Sequence, residues 1–525
     1  MNAESARAYA THRQAALAVA KGNLPRYSLA RCMYKGYVRT PQKQMVVTSH
    51  DGITYADAWR KANVLAWYLY RECQVHAGSY VAIAASNGLF VPVAMAAAQM
   101  CGAHIVQVPP GLAVDELSQY LAHIPVLAFL SSSAALCDVM ARIDPSCALL
   151  SIGGFRGSLP TVEDAASRQL FGSNWEFPAI ADETCIVLFS SGSTGTPKAI
   201  VNRAHSFGLN GRALRHALSL TPDDVVYVPV PFAHVFGIVG MYAALACGGT
   251  IVTSAKYRPE TALSLISNTR ATVHLGVATM FLRELRENQD GDWNLSSLRA
   301  GLVAGAGCPE SVLYDFEERY ACRIMQSYGM TETAATLTVT DLDLPVAVRA
   351  RCVGVPVAGA QVKLAPETNE ILCKTPSLMV GILQPDGSCA LDLDEDGWFA
   401  SGDVGAYDEG GRLRVVGRIK DIVIRGGINI FPAEVEALYE GCADVAESCL
   451  VGYPDPELGE RTCLCVVLAP GSTASALDLR QFAVGRTEKC RIPDVVMKLA
   501  DFPRLANGKI DKRSLRDHVK QVFGA

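Results

Sequence analysis

A chain of 525 residues is too long for one ordinary core and predicts two to four structural units. Hydrophobic residues make up 50%, charged residues 19%, and the net charge is −5, as in an ordinary globular enzyme. That balance leaves no electrostatic footprint for nucleic acid, and no block of like charge stands out.

The first residues carry Arg7, His12 and Arg13 with no apolar run behind them, which argues against a secretory signal. From about residue 45 to 340, short apolar runs alternate with helical patterns. Strands are expected at Tyr80–Ala85, His104–Val108, Val126–Leu130, Ala148–Ile152, Val225–Pro229, Thr250–Ser254, Thr272–Leu275 and Ala300–Val303, and helices at Tyr55–Arg71 and Leu89–Cys101. This alternation predicts an α/β protein with largely parallel sheets. Leu89–Pro110 is the most membrane-like stretch, but Gln99, His104 and Pro109-Pro110 interrupt it. It reads as a buried helix running into a strand, so no membrane is expected as a partner. Beyond about residue 350, shorter strands such as Gly397–Gly405 and Asp408–Val416 suggest a β-rich subdomain. From Asp421 an α+β pattern follows, with a helix opening at Pro432 and a strand at Leu464–Leu468. The boundary is placed near Arg418–Asp421. Seventeen scattered cysteines, without Cys-x-x-Cys or zinc spacing, read as free buried thiols in a reducing compartment, hence a cytoplasmic protein.

Four segments carry chemistry. In the first, an apolar strand from Ile186 runs into Ser190-Ser191-Gly192-Ser193-Thr194-Gly195-Thr196-Pro197-Lys198. Small residues let backbone N–H groups approach a polyanion, hydroxyls add donors and Lys198 adds charge. The pattern differs from a P-loop, because Pro197 precedes the lysine and no hydroxyl follows it; taken alone it also fits a Ser/Gly surface loop. The second, Gln326-Ser327-Tyr328-Gly329-Met330-Thr331-Glu332-Thr333, joins an aromatic ring suited to a flat base with a carboxylate suited to magnesium. A turn before a helix would need the same residues, with Thr331 as its cap. In the third, Ser401-Gly402-Asp403 precedes Gly417-Arg418-Ile419-Lys420-Asp421 and Arg425-Gly426-Gly427. Asp403 suits two ribose hydroxyls, or an ion pair with Arg418. In the fourth, Leu505–Lys512, an Asn507-Gly508 turn presents Lys509.

In this order and spacing the four segments resemble the adenylate-forming superfamily: acyl- and aryl-CoA synthetases, adenylation domains and beetle luciferases. The resemblance runs from about residue 50 to 515. It implies a large N-terminal domain, residues 1–417, of two α/β sheets plus a β-rich subdomain. A hinge at 418–420 and a small mobile α+β domain at 421–525 would follow. It further implies that Ser191 through Lys198 wrap the ATP phosphates, that Gly305-Ala306-Gly307 border adenine and substrate, and that Tyr328 stacks on adenine with Gly329 and Met330 beside it. Thr331 would touch phosphate, Glu332 would hold Mg2+, and Asp403 and Arg418 would hold the ribose. Lys509 would bridge the substrate carboxylate and the α-phosphate, and the small domain would rotate about Lys420 to bring Arg425-Gly426-Gly427 to the thiol. Ala199, Ala278 and Ser401 depart from the usual Gly, Pro and Thr without removing a reacting group.

Pro229–Gly237 resembles the border of the acyl pocket, with His234 as the gating residue of acyl- and aryl-CoA synthetases, although a core histidine would look the same. No acid occurs there, which disfavours an α-amino acid, since a buried ammonium would stay uncompensated. Val235, Phe236, Met241, Ser327 and Ala335 are expected to line a pocket for an aromatic, cyclic or medium-chain carboxylic acid. The expected acceptor is coenzyme A, or the phosphopantetheine of a separate acyl carrier protein; the protein would be a monomer or homodimer. A luciferase-like oxygenase and an inactive binding homologue share the motifs, though the intact Lys198, Glu332, Asp403 and Lys509 argue against the latter.

Overall fold

The computed structural model describes residues 24–153, 159–167, 184–190, 197–504 and 510–524. By its internal contacts the chain divides into two compact units, one of residues 1–360 with 375–392 and one of residues 361–374 with 393–525. The second thus includes the antiparallel sheet ahead of residue 418.

Among the described residues, the first unit holds a nine-stranded and an eight-stranded sheet. The nine-stranded sheet has a parallel centre, in which Val225–Tyr227, Val273–Gly276, Ala300–Ala304 and Arg323–Tyr328 lie side by side. Short antiparallel strands, Thr338–Val339 and Val355–Pro356, close one edge. In the eight-stranded sheet Cys185–Ser190, His104–Gln107, Tyr80–Ala84, Val126–Ser131 and Ala148–Ser151 run parallel. These strands are apolar along their length because helices cover the sheets. The strand expected at Val225–Pro229 stops at Tyr227, before Pro229 and Pro231, which cannot donate to a ladder.

The helix over Tyr55–Arg71 forms as read, with the Thr54 hydroxyl capping the Asp57 N–H at 3.1 Å. The membrane-like stretch becomes helix Phe90–Met100 followed by strand His104–Gln107, both interior. Among the described residues no helix is long and apolar enough to cross a membrane.

In the second unit, Gln361–Leu364, Glu370–Lys374, Phe399–Tyr407 and Leu413–Arg418 form an antiparallel sheet. A further sheet is built on the long hairpin Val445–Asp455 and Gly459–Leu468, with Val495–Leu499 added in parallel. Helices Pro432–Glu440, Ala476–Ala483 and Lys512–Phe523 belong to this unit. All seventeen cysteines are unbonded thiols. Cys463 and Cys465 sit two apart on one buried strand face, their sulfurs 3.9 Å from each other, as the alternation of a strand requires.

Candidate active site

Strand Cys185–Ser190 turns back into Lys198–Arg203, with Ser190 opposite Lys198 in the register. The strand ahead of the Ser/Gly/Thr segment is thus followed by an antiparallel partner strand, whereas a P-loop leads from a strand into a helix. Lys198 is exposed at the first position of the return strand. Residues Ser191, Gly192, Ser193, Thr194, Gly195 and Thr196 lie outside the described residues.

Two parallel neighbours of the nine-stranded sheet end beside one another. Ala300–Ala304 runs into Gly305, at φ +88°, and the exposed Ala306 and Gly307. Arg323–Tyr328 runs into Gly329 and Met330. Carboxyl ends of parallel strands are where α/β sheets bind ligands.

After Tyr328 the chain folds into a 3-10 turn, Thr331–Thr333, that carries Glu332. Asn210, buried on helix Ala204–Ala217, donates to the carbonyls of Thr333 and Ala334, both at 2.8 Å, and accepts from the Ser377 hydroxyl at 3.1 Å. The Met379 N–H donates to the Glu332 carbonyl at 2.7 Å, and the Ala335 N–H to the Met330 carbonyl at 3.0 Å. Ala334 and Ala335 both take positive φ, +52° and +86°, at a cost of about 1–3 kcal/mol each for a non-glycine residue. A Cβ on Gly329 would collide with the Ala335 carbonyl, so the turn closes only over glycine. Ser327 is buried and its hydroxyl donates to the Thr338 carbonyl at 3.0 Å.

His234 is the N-cap of helix Val235–Cys247, its Nδ1 accepting from the Phe236 N–H at 3.3 Å. An accepting Nδ1 puts the proton of the neutral ring on Nε2. Val235, Phe236 and Met241 are buried along this helix. The approach to it is fixed by Asn87, which leaves the carboxyl end of Tyr80–Ala84. Its amide donates to the Val230 carbonyl and the Thr253 hydroxyl, both at 2.9 Å, and accepts from the Phe232 N–H at 2.6 Å.

In the second unit, Asp403 and Arg418 are register partners on adjacent antiparallel strands, with Nε and Oδ1 at 2.8 Å. The Asp403 side chain is 6% exposed and that of Arg418 52%. Lys420 is exposed in the 3-10 turn Ile419–Asp421. Arg425 ends strand Val423–Arg425, and Gly426 and Gly427, at φ +57° and +82°, turn the chain back into Ile428–Ile430. Both central positions of such a tight turn demand left-handed backbone. Arg425 forms a two-pronged pair with Asp494 at 2.9 and 2.8 Å, and Asp494 also accepts from the Thr462 N–H and hydroxyl. A cavity of about 410 Å³ opens there, lined by Arg425, Arg480, Val484, Lys489, Cys490, Ile492 and Asp494. Lys509 lies outside the described residues. On either side of its segment Arg504 bridges Ile510, and the Asp511 N–H donates to the Pro503 carbonyl at 2.7 Å.

The described members of the sequence-read set thus fall into two groups, one per unit. Asn87, Asn210, Ser377, Arg480 and Lys489 were missed. Only Asn210 left a local signal: it sits in the apolar stripe Ala204, Phe207, Gly211 and Leu214, where a polar side chain needs a partner.

Residues 35–383 match the family model for the AMP-binding enzyme, and residues 434–509 match that for the AMP-binding enzyme C-terminal domain. The chain belongs to the AMP-binding enzyme family, within the adenylate-forming superfamily. Family relatives include the medium-chain fatty-acid–CoA ligase of Escherichia coli (strain K12), 32% identical over 64% of this chain and 62% of that one. Feruloyl-CoA synthase of an Amycolatopsis species is 30% identical over 92% of this chain and 97% of that one. The match spans 62–66% of the length of several curated relatives of this kind. ATP-bound MatB from Rhodopseudomonas palustris superposes with a TM-score of 0.83 at 24% identity, covering 94% of this chain and 99% of that one. At that identity the likeness speaks for the fold.

Proposed function

We propose that this chain uses ATP to convert an aromatic, cyclic or medium-chain carboxylic acid into an acyl-adenylate, and then transfers the acyl group to coenzyme A. The reading is carried by the pinned Tyr328–Glu332 turn at the carboxyl end of a parallel strand, in a chain matched by both family models. In the first step a carboxylate oxygen bonds to the α-phosphorus as the bond to pyrophosphate breaks. In the second a thiolate bonds to the acyl carbon and AMP leaves.

Both carboxylate and triphosphate are anions, so the residues must offset charge and align the attack. Lys198 and the segment Ser191–Thr196 are assigned to the phosphates, Tyr328 to the adenine, Asp403 with Arg418 to the ribose, and Lys509 to the reacting oxygens. Glu332 fits Mg2+: a single carboxylate on an immobile backbone leaves most coordination positions to phosphate and water, as this cation prefers. When bound, the ion would offset charge on the phosphates. Lys420 is assigned as the pivot at 418–420, so that Lys509 serves the first step and the Arg425 hairpin the second.

For the acid, support comes from Val235 and Phe236, buried without any carboxylate from Pro229 to Gly237. For the acceptor, Arg480 and Lys489 beside Arg425 suit the phosphates of coenzyme A. Acid-dependent ATP–pyrophosphate exchange across a panel of free acids tests the first step. Preference for palmitate or for an α-amino acid would overturn the substrate class, and thioester formation only with carrier-bound phosphopantetheine would overturn the acceptor.

A further inference from the structure

A net charge of −5 hides one face of the opposite sign. No Asp or Glu occurs from residue 24 to 50 or from residue 197 to 222, and the first unit packs parts of these two stretches together. The Tyr27 ring takes the guanidinium groups of Arg26 and Arg212, each 5.3 Å from its centre. A Cβ on Gly208, in helix Ala204–Ala217, would run into the Tyr27 carbonyl. Helix Leu29–Arg39 turns Leu29, Ala30, Met33 and Gly36 inward, with Gly36 pressed on the Tyr55 ring. Its outer stripe is Lys35 and Arg39, four residues apart, with the exposed Val38 among them, while the half-buried Arg31 one turn earlier donates from Nη1 to the Leu24 carbonyl at 3.1 Å. Like charges one turn apart work against a helix. Partial burial, with the repulsion of Arg31, Arg39 and Arg212 added, pulls the Lys35 pKa below its usual range. The described ion pairs of this unit use Arg60, His274, Arg299, Arg323, Arg349 and Arg351, and none of the cations of this face.

We propose that Arg26, Lys35, Arg39 and Arg212 dock this protein on an anionic lipid surface, with lipid phosphates between the four cations. Protein interfaces deplete charge at their centre and match opposite signs across it. Here the sign is single across two helices and no carboxylate is interspersed, which suits a sheet of headgroup phosphates. The apolar side of helix Leu29–Arg39 is already taken up by the core, and Val38 is the one exposed large apolar side chain among residues 24–43. The helix therefore lies against headgroups and does not insert.

Sedimentation with vesicles of phosphatidylcholine containing about one third phosphatidylglycerol, against phosphatidylcholine alone, tests the proposal. The protein is expected to pellet with the anionic vesicles and to be released by salt. Lys35→Glu with Arg39→Glu should lower partitioning by more than about twentyfold, since each cation contributes about fivefold. Arg283→Glu with Arg286→Glu, on helix Ala278–Glu287, makes the same change in net charge elsewhere and should leave binding intact. Circular dichroism melting of both double variants confirms that each is folded. Equal binding to neutral vesicles, equal loss in the Arg283/Arg286 variant, or binding to heparin or to an acidic protein without binding to vesicles would each overturn the proposal.

Discussion

In the first unit, Glu332 rides a turn whose carbonyls take hydrogen bonds from the Asn210 amide and the Met379 N–H, all within 2.7–2.8 Å. In the second, Asp403 and Arg425 are held by charges: Arg418 across the strand pair and Asp494 across the hairpin base. Neutral buried hydrogen bonds fix geometry regardless of salt, and they are costly to break because an orphaned carbonyl has no water to turn to. In each pair the arginine is the more open partner, 52% exposed for Arg418 and 27% for Arg425, over a carboxylate that is 6% and 9% exposed, so the arginine can exchange its partner for a ligand while salt screens it in part. The first arrangement agrees with the fixed position proposed for Glu332, and the second with the exchange of ligands proposed for Arg418 and Arg425.

Four experiments test that contrast. The largest effect is expected from Lys509→Ala, which should lower acid-dependent exchange by at least about a hundredfold while sparing thioester formation from supplied acyl-adenylate; normal exchange would remove the assigned role. Asn210→Leu should come next. It orphans the Thr333 and Ala334 carbonyls and should lower unfolding free energy by about 2–4 kcal/mol in urea titrations. Exchange should fall as the turn loosens, and an unchanged urea midpoint would mean that the turn holds itself. Arg418→Ala removes the exposed partner of Asp403 and leaves its buried carboxylate short of a charge, so stability should fall by about 1–2 kcal/mol, less than for Asn210→Leu. The KM for ATP should nevertheless rise several-fold, and a large stability loss with unchanged KM would reverse the comparison. Smallest is Lys489→Ala, expected to raise the KM for coenzyme A about threefold at low salt, with the difference fading as salt rises and exchange untouched.

Much of the fold was legible because its signals are local. The parallel strands and helix Tyr55–Arg71 announce themselves through apolar runs and a cap at Thr54. The motif residues were legible as chemistry for a related reason: Tyr328, Glu332, Asp403 and Arg418 sit beside turns rich in glycine and hydroxyls. Their supports were not. Asn87 reaches Phe232 across 145 positions and leaves no mark on the neighbouring sequence, while Asn210 shows locally only that it needs a partner and not that the partner is Thr333, 123 positions away. The basic face escaped for the same reason, since cations four residues apart form no block until a helix aligns them and a second helix brings Arg212 alongside.

The α/β architecture of the first unit and the order of the glycine- and hydroxyl-rich motifs were already written in the sequence, because periodicity and turn chemistry act over a few residues. Only the tertiary structure decided that the Ser190–Lys198 segment joins two paired strands, that the Glu332 turn is locked by amides from distant elements, and that Arg425 spends its charge on Asp494. Those outcomes depend on which buried polar groups meet after the chain has packed, and burial makes every unmet partner costly.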